Sequence, residues 1–132
     1  QIQEVFQETM RLSPGELIVQ IIIDLAYTTL PYQGIKKTRL DKIDYPLVSM
    51  AVLKKDEEIR LAVSGLCAFP FRSTEMEQEL NNRALPCEER VRRLNAHLPA
   101  PILSDPQGSA EYRDFLFQNT LLKMLKELEE VS

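Results

Sequence analysis

The sequence predicts an α+β fold, with a three- to four-stranded antiparallel sheet packed against about three helices in a single domain over residues 1–132. Segments rich in β-branched residues come first along the chain and helical periodicities follow them, so strands and helices are segregated. A chain of 132 residues can bury roughly two thirds of its unfolded surface in one core.

Three segments have the composition of strands. Residues 17–23 are almost wholly apolar, which predicts a strand covered on both faces. Residues 47–53 and 59–66 flank a polar turn at 54–58, and this arrangement predicts a hairpin. Gly65 indicates a bulge or a close backbone approach at the end of the third strand.

Three helices are expected after the strands. Thr74 and Glu77 fit a capping box for a helix running to about Asn82, Pro86 suits the first residue of the next helix, and Ser109 can cap the last one. The middle helix has one apolar stripe of Cys87, Val91, Leu94 and Leu98 before Pro99 and Pro101 stop it. The last helix has two stripes, Tyr112, Phe115, Leu116, Asn119, Leu122 and Leu125 beside Phe117, Leu121, Met124 and Leu128. Such a helix should be covered on more than one side.

Composition narrows the functional classes. A net charge of −4 argues against nucleic acid, and no apolar run reaches the roughly 20 residues that span a bilayer, so neither a nucleic-acid nor a membrane partner is expected. Cys67 and Cys87 are expected to be small core residues in a reducing, cytoplasmic setting. A single histidine, His97, makes a metal site improbable.

Several charged and aromatic side chains have structural explanations. Arg72 and Arg113 are expected to pair with local carboxylates or helix-end carbonyls. Tyr112 is expected to be a core aromatic with a satisfied hydroxyl. The helical glutamates, Glu75, Glu77, Glu79, Glu88 and Glu89, have the pattern of solvated helix faces. No nucleophile has a base placed beside it, so no catalytic residue is predicted.

Four segments in order resemble the C-terminal domain of the FAD-binding (medium) subunit of molybdenum hydroxylases, the xanthine dehydrogenase and carbon monoxide dehydrogenase flavoprotein family. They are Leu-Ser-Pro-Gly-Glu-Leu-Ile at 12–18, Asp-Tyr-Pro-Leu-Val-Ser-Met-Ala-Val at 44–52, the strand–Pro-x-Arg–helix section at 59–77, and the segment at 105–113. The resemblance covers nearly the whole chain from Leu12 to Leu128.

The resemblance implies part of an oxidoreductase subunit that is not catalytic alone. FAD would be the cofactor of the intact subunit, held mostly by an upstream FAD-binding domain that is absent from this chain, so the chain alone should bind FAD weakly or not at all. The chain has four glycines and no glycine-rich pyrophosphate loop. The implied role is to close the flavin site and to dock iron–sulfur and molybdopterin subunits for electron transfer to FAD.

The region at 29–44 lacks periodicity and is expected to be a loop with a basic cluster of Lys36, Lys37, Arg39 and Lys42. Taken by itself, such a cluster is typical of a solvated surface. The resemblance makes Lys36 the best match to a flavin-proximal lysine, with Lys37 as the alternative, because Leu40 stands where the family often has arginine. A cation there would stabilise negative charge in the reduced ring. Tyr32 could cover the ring, or pack on its own domain.

Two other functions remain open. A stand-alone, non-enzymatic interaction module could have kept the fold without flavin. A small-ligand or RNA-binding domain using the basic loop is a weaker alternative, because the net charge is negative and no exposed aromatics alternate with the basic residues.

Overall fold

The computed structural model of the chain describes residues 2–39 and 45–130. In chain order the elements are α1 (Ile2–Val5), β1 (Phe6–Gln7), β2 (Thr9–Met10), a 3₁₀ turn (Leu25–Tyr27), β3 (Tyr32–Thr38), β4 (Pro46–Lys55), β5 (Glu58–Ser64), α2 (Thr74–Leu80), α3 (Cys87–Arg93), a second 3₁₀ turn (Leu94–His97) and α4 (Ala110–Glu130). None of the helices in these residues is both long and apolar enough to cross a bilayer.

The main sheet is antiparallel, with the strand order β3-β4-β5. Its hairpin between β4 and β5 turns through Asp56 and Glu57, whose φ angles are 54° and 64°. Positive φ at both central residues is the geometry whose twist matches that of the flanking strands. The predicted α+β class and the predicted hairpin are confirmed.

The expected loop at 29–44 contains β3, so that prediction is wrong for Tyr32–Thr38. This strand pairs with β4 from Tyr32 to Thr38, with a register shift between Lys37 and Thr38. As an edge strand it carries only one apolar residue, Ile35, that packs against the core, so the apolar alternation that marks a strand is weak. Lys42 and Asp44 lie outside the described residues.

The expected strand at 17–23 is not formed, and its side chains are not covered. Val19 and Ile22 are 87% and 81% exposed. No described strand pairs with this segment, and without a neighbour an isolated strand has no hydrogen bonds to hold it. After this segment, Tyr27 joins the chain to β4, because its hydroxyl accepts a hydrogen bond from Lys55 Nζ at 3.3 Å.

The core lies between one face of the sheet and the three later helices. α4 packs against β3 and β4, α2 packs against β5, and α3 bridges α2 and α4. The fully buried large side chains are Phe117, Leu47, Leu66, Met76, Leu80, Leu94, Leu121, Met124, Leu125, Val48, Val52 and Cys67. The three later helices pack on this side of the sheet, and the opposite face lines a groove to which the N-terminal segment, including Ile2 of α1, also contributes.

α4 is covered along one stripe rather than on several sides. The stripe from Phe117 to Leu128 is buried, as predicted. Tyr112 and Phe115 are 44% and 60% exposed, so the expectation that Tyr112 is a core aromatic is wrong. The helix still begins as predicted, because the Ser109 hydroxyl accepts a hydrogen bond from the Tyr112 N–H at 3.2 Å.

The cap of α2 differs from the predicted one by one residue. Ser73, not Thr74, is the N-cap, and its Oγ accepts the Met76 N–H at 3.3 Å. Glu77 is therefore not part of a capping box. Its carboxylate is only 8% exposed and turns toward the sheet, so the expectation of a solvated helix face is wrong for this residue.

Side chains of α2 and of Asn81, the residue that follows it, form hydrogen bonds with backbone groups on the free edge of β5. Glu77 Oε1 accepts the Leu61 N–H at 3.0 Å, and the Asn81 side chain bonds both the N–H and the C=O of Ile59, at 2.8 and 2.9 Å. Val63 pairs with the loop before α2. Each alternate outward position of this edge strand thus has a partner, which prevents edge-to-edge association there.

The two cysteines have different surroundings. Cys67 is buried in the core as predicted, and burial raises the pKa of its thiol. Cys87 is only half-buried, so its prediction as a core residue is wrong. It lies at the start of α3, where its Sγ donates to Glu129 Oε2 at 3.0 Å and receives Arg90 Nη2 at 2.8 Å. Both thiols are free.

One buried arginine joins the sheet to α4. Arg113 is 2% exposed, and its Nη1 donates to the carbonyl oxygens of Leu47 at 2.5 Å and Gly65 at 2.8 Å. Its Nη2 contacts both carboxylate oxygens of Asp105, at 2.9 and 2.8 Å, and its Nε donates to the Gly108 carbonyl at 3.4 Å. The predicted structural role of Arg113 is confirmed.

Gly65 is required where Arg113 binds. Its φ is +81°, and a Cβ at this position would lie 2.5 Å from the Leu47 carbonyl oxygen. The predicted close backbone approach is therefore confirmed. It brings the start of β4 and the end of β5 close enough for one guanidinium nitrogen to bond both carbonyls.

We expect Arg113→Met to destabilise the fold by about 3 kcal/mol, because the buried Leu47 carbonyl, the part-buried Gly65 carbonyl and the Asp105 carboxylate lose this donor. Urea unfolding followed by circular dichroism measures the loss. Arg92→Met is the matched control, since Arg92 is exposed on α3 and its loss should stay within about 0.5 kcal/mol. Equal effects of the two substitutions would contradict the role given to Arg113.

Acid should weaken the fold through Asp105. The Arg113 guanidinium lowers the pKa of the Asp105 carboxyl, so its contribution to stability is complete above its unfolded pKa of about 3.9 and is lost as pH falls through the lower folded value. In urea titrations from pH 7 to pH 2, Asp105→Asn should lose less stability on acidification than the unsubstituted chain. Asp56→Asn, in the exposed hairpin turn, should follow the unsubstituted chain.

Candidate functional site

The open face of the sheet forms the floor of a groove of about 1260 Å³. Side chains alternate between the two faces of a strand, so alternate residues in the middle of the sheet line the groove. The strand register aligns these residues in rows that cross the sheet. Lys36, Ser49 and Ser64 form one row, and Gly34, Ala51 and Ala62 form the next.

The first row carries hydrogen-bond donors. Residues directly opposite each other on neighbouring strands have Cβ atoms about 5 Å apart, so the Lys36 ammonium and the two serine hydroxyls share one strip of surface. Within the described residues, no carboxylate forms an ion pair with Lys36, and neither the Ser49 nor the Ser64 hydroxyl makes a hydrogen bond. Both serines are half-buried in the groove.

The second row is flat because its side chains are small. Ala51 and Ala62 are exposed despite lying mid-strand. At Gly34, an added Cβ would lie 2.3 Å from the Tyr32 hydroxyl oxygen, which shows that the Tyr32 ring folds back along this face. Tyr32 is nevertheless 65% exposed, so few protein atoms cover it. The floor offers a surface on which a planar group could lie.

The two candidate lysines are on opposite faces of β3. Lys36 and Tyr32 both line the groove. Lys37 pairs with Val48, a buried core residue, and therefore belongs to the face that the helices cover. The other residues on that face also meet the helices, as the hydrogen bond of 2.9 Å from Gln33 Nε2 to Glu127 Oε2 on α4 shows. The structure thus brings Lys36 and Tyr32 together and separates Lys37 from them.

The far wall of the groove is formed by the segment between β5 and α2. Arg72 lines it, and its Nε and Nη2 donate to Glu77 at 2.6 and 2.8 Å. This pairing raises the pKa of Arg72 and confirms the predicted structural role of the residue. His97 also lines this wall, with its Nε2 3.9 Å from Glu79 Oε1.

The groove has the features of a binding surface. Across residues 2–39 and 45–130, no group of three or more His, Cys, Asp and Glu side chains could hold a metal ion. Its charged and polar groups can hold a ligand by hydrogen bonds and charge. They do not include a nucleophile hydrogen-bonded to a base among the described side chains.

Comparison with known proteins assigns the domain type. Residues 34–128 match the family model for the CO dehydrogenase flavoprotein C-terminal domain. The chain belongs to this family. The matched residues contain the groove floor from Gly34 to Ser64, all of α2 and α3, and α4 as far as residue 128.

Solved structures share the fold. CO dehydrogenase from Oligotropha carboxidovorans is 20% identical, with a TM-score of 0.63 over 78% of this chain and 38% of that chain. Quinoline 2-oxidoreductase from Pseudomonas putida 86 is 16% identical, with a TM-score of 0.61 over 77% and 38%. Carbon monoxide dehydrogenase from Hydrogenophaga pseudoflava is 18% identical, with a TM-score of 0.55 over 74% and 35%.

This chain therefore spans less than two fifths of the length of these solved relatives. No curated protein sequence matches it. Residues 1–33, which include the exposed run at 17–23, precede the segment that the family model matches.

Two groove residues were missed in the sequence. Ser49 and Ser64 are unremarkable as isolated hydroxyl residues in strands. Only the register shows that both stand in line with Lys36. The available signal was one hydroxyl residue on each strand of the predicted hairpin. It could not be connected with Lys36, because β3, which supplies Lys36, was not expected to be a strand.

Proposed function

We propose that this domain closes one side of a flavin site in an FAD-dependent, xanthine dehydrogenase-like oxidoreductase and does no chemistry alone. The main support is the groove on the open sheet face, where Lys36 and Tyr32 stand together beside a flat floor. Membership of the CO dehydrogenase flavoprotein C-terminal domain family gives the ligand class.

The groove fits the ring of FAD better than the rest of the cofactor. A planar ring can lie on the small side chains of Ala51 and Ala62, and a lysine without a carboxylate partner among the described residues can face an electron-rich ring edge. The four glycines are dispersed, with no glycine-rich loop for a pyrophosphate. FAD supplies the electron-accepting chemistry when bound. This chain contributes charge, shape and exclusion of water on one side, so weak FAD binding by the chain alone remains the prediction.

The exposed run at 17–23 supports a contact with a flavin-binding part that lies outside these 132 residues. Its apolar side chains are uncovered on both faces, and a run of this composition is typical of an inner strand of a sheet. We propose that an upstream FAD-binding domain covers it. Iron–sulfur and molybdopterin subunits are the further partners proposed, and the two free thiols support a reducing, cytoplasmic setting.

Lys36→Met in the intact, FAD-loaded flavoprotein subunit should lower the flavin midpoint potential, because the cation stabilises the reduced ring more than the oxidised one. Spectroelectrochemical titration measures this directly. Lys37→Met removes the same charge from the helix-covered face of the same strand and should leave the potential nearly unchanged.

The comparison of Lys36→Met with Lys37→Met also tests the alternative of a non-enzymatic interaction module. If neither lysine alters the potential while the subunit remains folded, the flavin-closing role is wrong and the interaction module takes its place. If Lys37→Met has the larger effect, the strand register in the working subunit differs from the one described here.

Ile22→Asp should separate docking from folding. In the 132-residue chain Ile22 is 81% exposed, so the substitution should change stability by less than about 0.5 kcal/mol. In the intact subunit it would place an unpaired charge in the proposed interface and cost about 3 kcal/mol. Thermal unfolding of both proteins measures the two effects.

Asn82→Asp introduces the same charge at an exposed site after α2 and should be neutral in both proteins. An equally small effect of Ile22→Asp in the intact subunit would rule out the proposed contact at 17–23.

A further inference from the structure

The donor row across the open face has no acceptor among the described residues. Lys36, Ser49 and Ser64 are aligned by the register of three strands, and each contributes a donor that the rest of the described chain leaves unused. The acids that line the groove lie on other walls: Glu8 on the N-terminal segment and Glu75 at the start of α2. The Glu75 carboxylate already accepts from the Ser73 and Thr74 hydroxyls, at 2.9 and 3.2 Å.

A row of hydrogen-bond donors favours ligands that carry hydrogen-bond acceptors. A half-buried donor gains little from an apolar ligand, and it gains most from a ligand edge rich in acceptors or negative charge. Because the three groups lie along a line rather than around a point, they match the straight edge of a planar heterocycle better than a single atom. The small side chains of Ala51 and Ala62 beside them leave room for the body of the same ring, and the Tyr32 ring lies next to this space, over Gly34.

We propose that Ser49 and Ser64 are flavin-binding residues that donate hydrogen bonds to the ring edge that Lys36 faces. This inference rests on the proposed flavin site and adds an orientation to it. The acceptor edge of the ring lies over the Lys36–Ser49–Ser64 row, and the remainder of the ring lies toward Ala51 and Ala62. Donors at that edge stabilise the negative charge of the reduced ring, so the row acts as a unit on its reduction.

The test uses matched double variants in the intact, FAD-loaded subunit. Ser49→Val with Ser64→Val removes both hydroxyls, whereas Ser49→Thr with Ser64→Thr keeps them in side chains of nearly the same shape. Both replacements are β-branched and suit a strand. Ser104→Ala, at an exposed loop serine, is the control for loss of a hydroxyl elsewhere. Circular dichroism melting checks that each variant is folded.

The valine pair should bind FAD roughly tenfold more weakly than the threonine pair, as expected for two hydrogen bonds of modest strength. Its flavin midpoint potential should also be more negative, whereas the threonine pair and Ser104→Ala should resemble the unsubstituted subunit. If the serines had only a structural role, the valine and threonine pairs should have the same flavin midpoint potential. A difference in potential between the two pairs therefore indicates that the hydroxyls contact the ring.

Three results would overturn the inference. Equal behaviour of the valine and threonine pairs means that the hydroxyls do not bind the ring. Weaker FAD binding with an unchanged potential means that the row holds a phosphate of FAD instead. If Lys36→Met changes the flavin midpoint potential and the valine pair does not, the serines do not bind the ring, and the proposed flavin site itself still stands. If neither set of variants affects the flavin, the proposed function itself fails.

Discussion

The Arg113 guanidinium is the interaction on which the geometry of this domain depends. It joins the first residues of β4, the glycine after β5 and the turn that leads into α4, through carbonyls of Leu47 and Gly65 and the carboxylate of Asp105. These segments are separated in sequence, and the Leu47 carbonyl, which is buried, has Arg113 as its side-chain donor. Charge-assisted bonds to several acceptors fix both direction and distance, which apolar packing alone does not do.

The position of α4 determines which face of the sheet remains open. Once Arg113 sets the start of α4 against the ends of β4 and β5, the buried stripe from Phe117 to Leu128 lies on the core face, and α2 and α3 pack beside it. The same anchoring holds the register of β4 against β5, which places Ser49 opposite Ser64. The groove is therefore a consequence of the packing on the other side of the sheet.

The sequence was sufficient where a signal is local and apolar. The hairpin, the three later helices, the Ser109 cap and the structural roles of Arg72 and Arg113 follow from periodicity, turn residues and nearby carboxylates. It was insufficient for β3, because an edge strand with one core residue has little periodicity. Glu77 and Asn81 were missed for a related reason, since their role is to satisfy an edge strand that only the tertiary fold brings to them. Of the residues in the candidate site, Lys36 and Tyr32 were suggested by the family resemblance, whereas Ser49 and Ser64 required the register.

The failed strand prediction at 17–23 and the open face have a common physical basis. A sequence encodes burial wherever burial occurs, including burial against surfaces outside these 132 residues. Within the described residues the core contains the apolar stripe of α4 from Phe117 to Leu128, but it leaves the run at 17–23 exposed. It also leaves a donor row without acceptors. An apolar run without a cover is unfavourable in water, whereas the Lys36 and serine donors on the open face are accessible to water or to a ligand. Both are explained if one surface meets protein and the other meets a flat, acceptor-rich ligand.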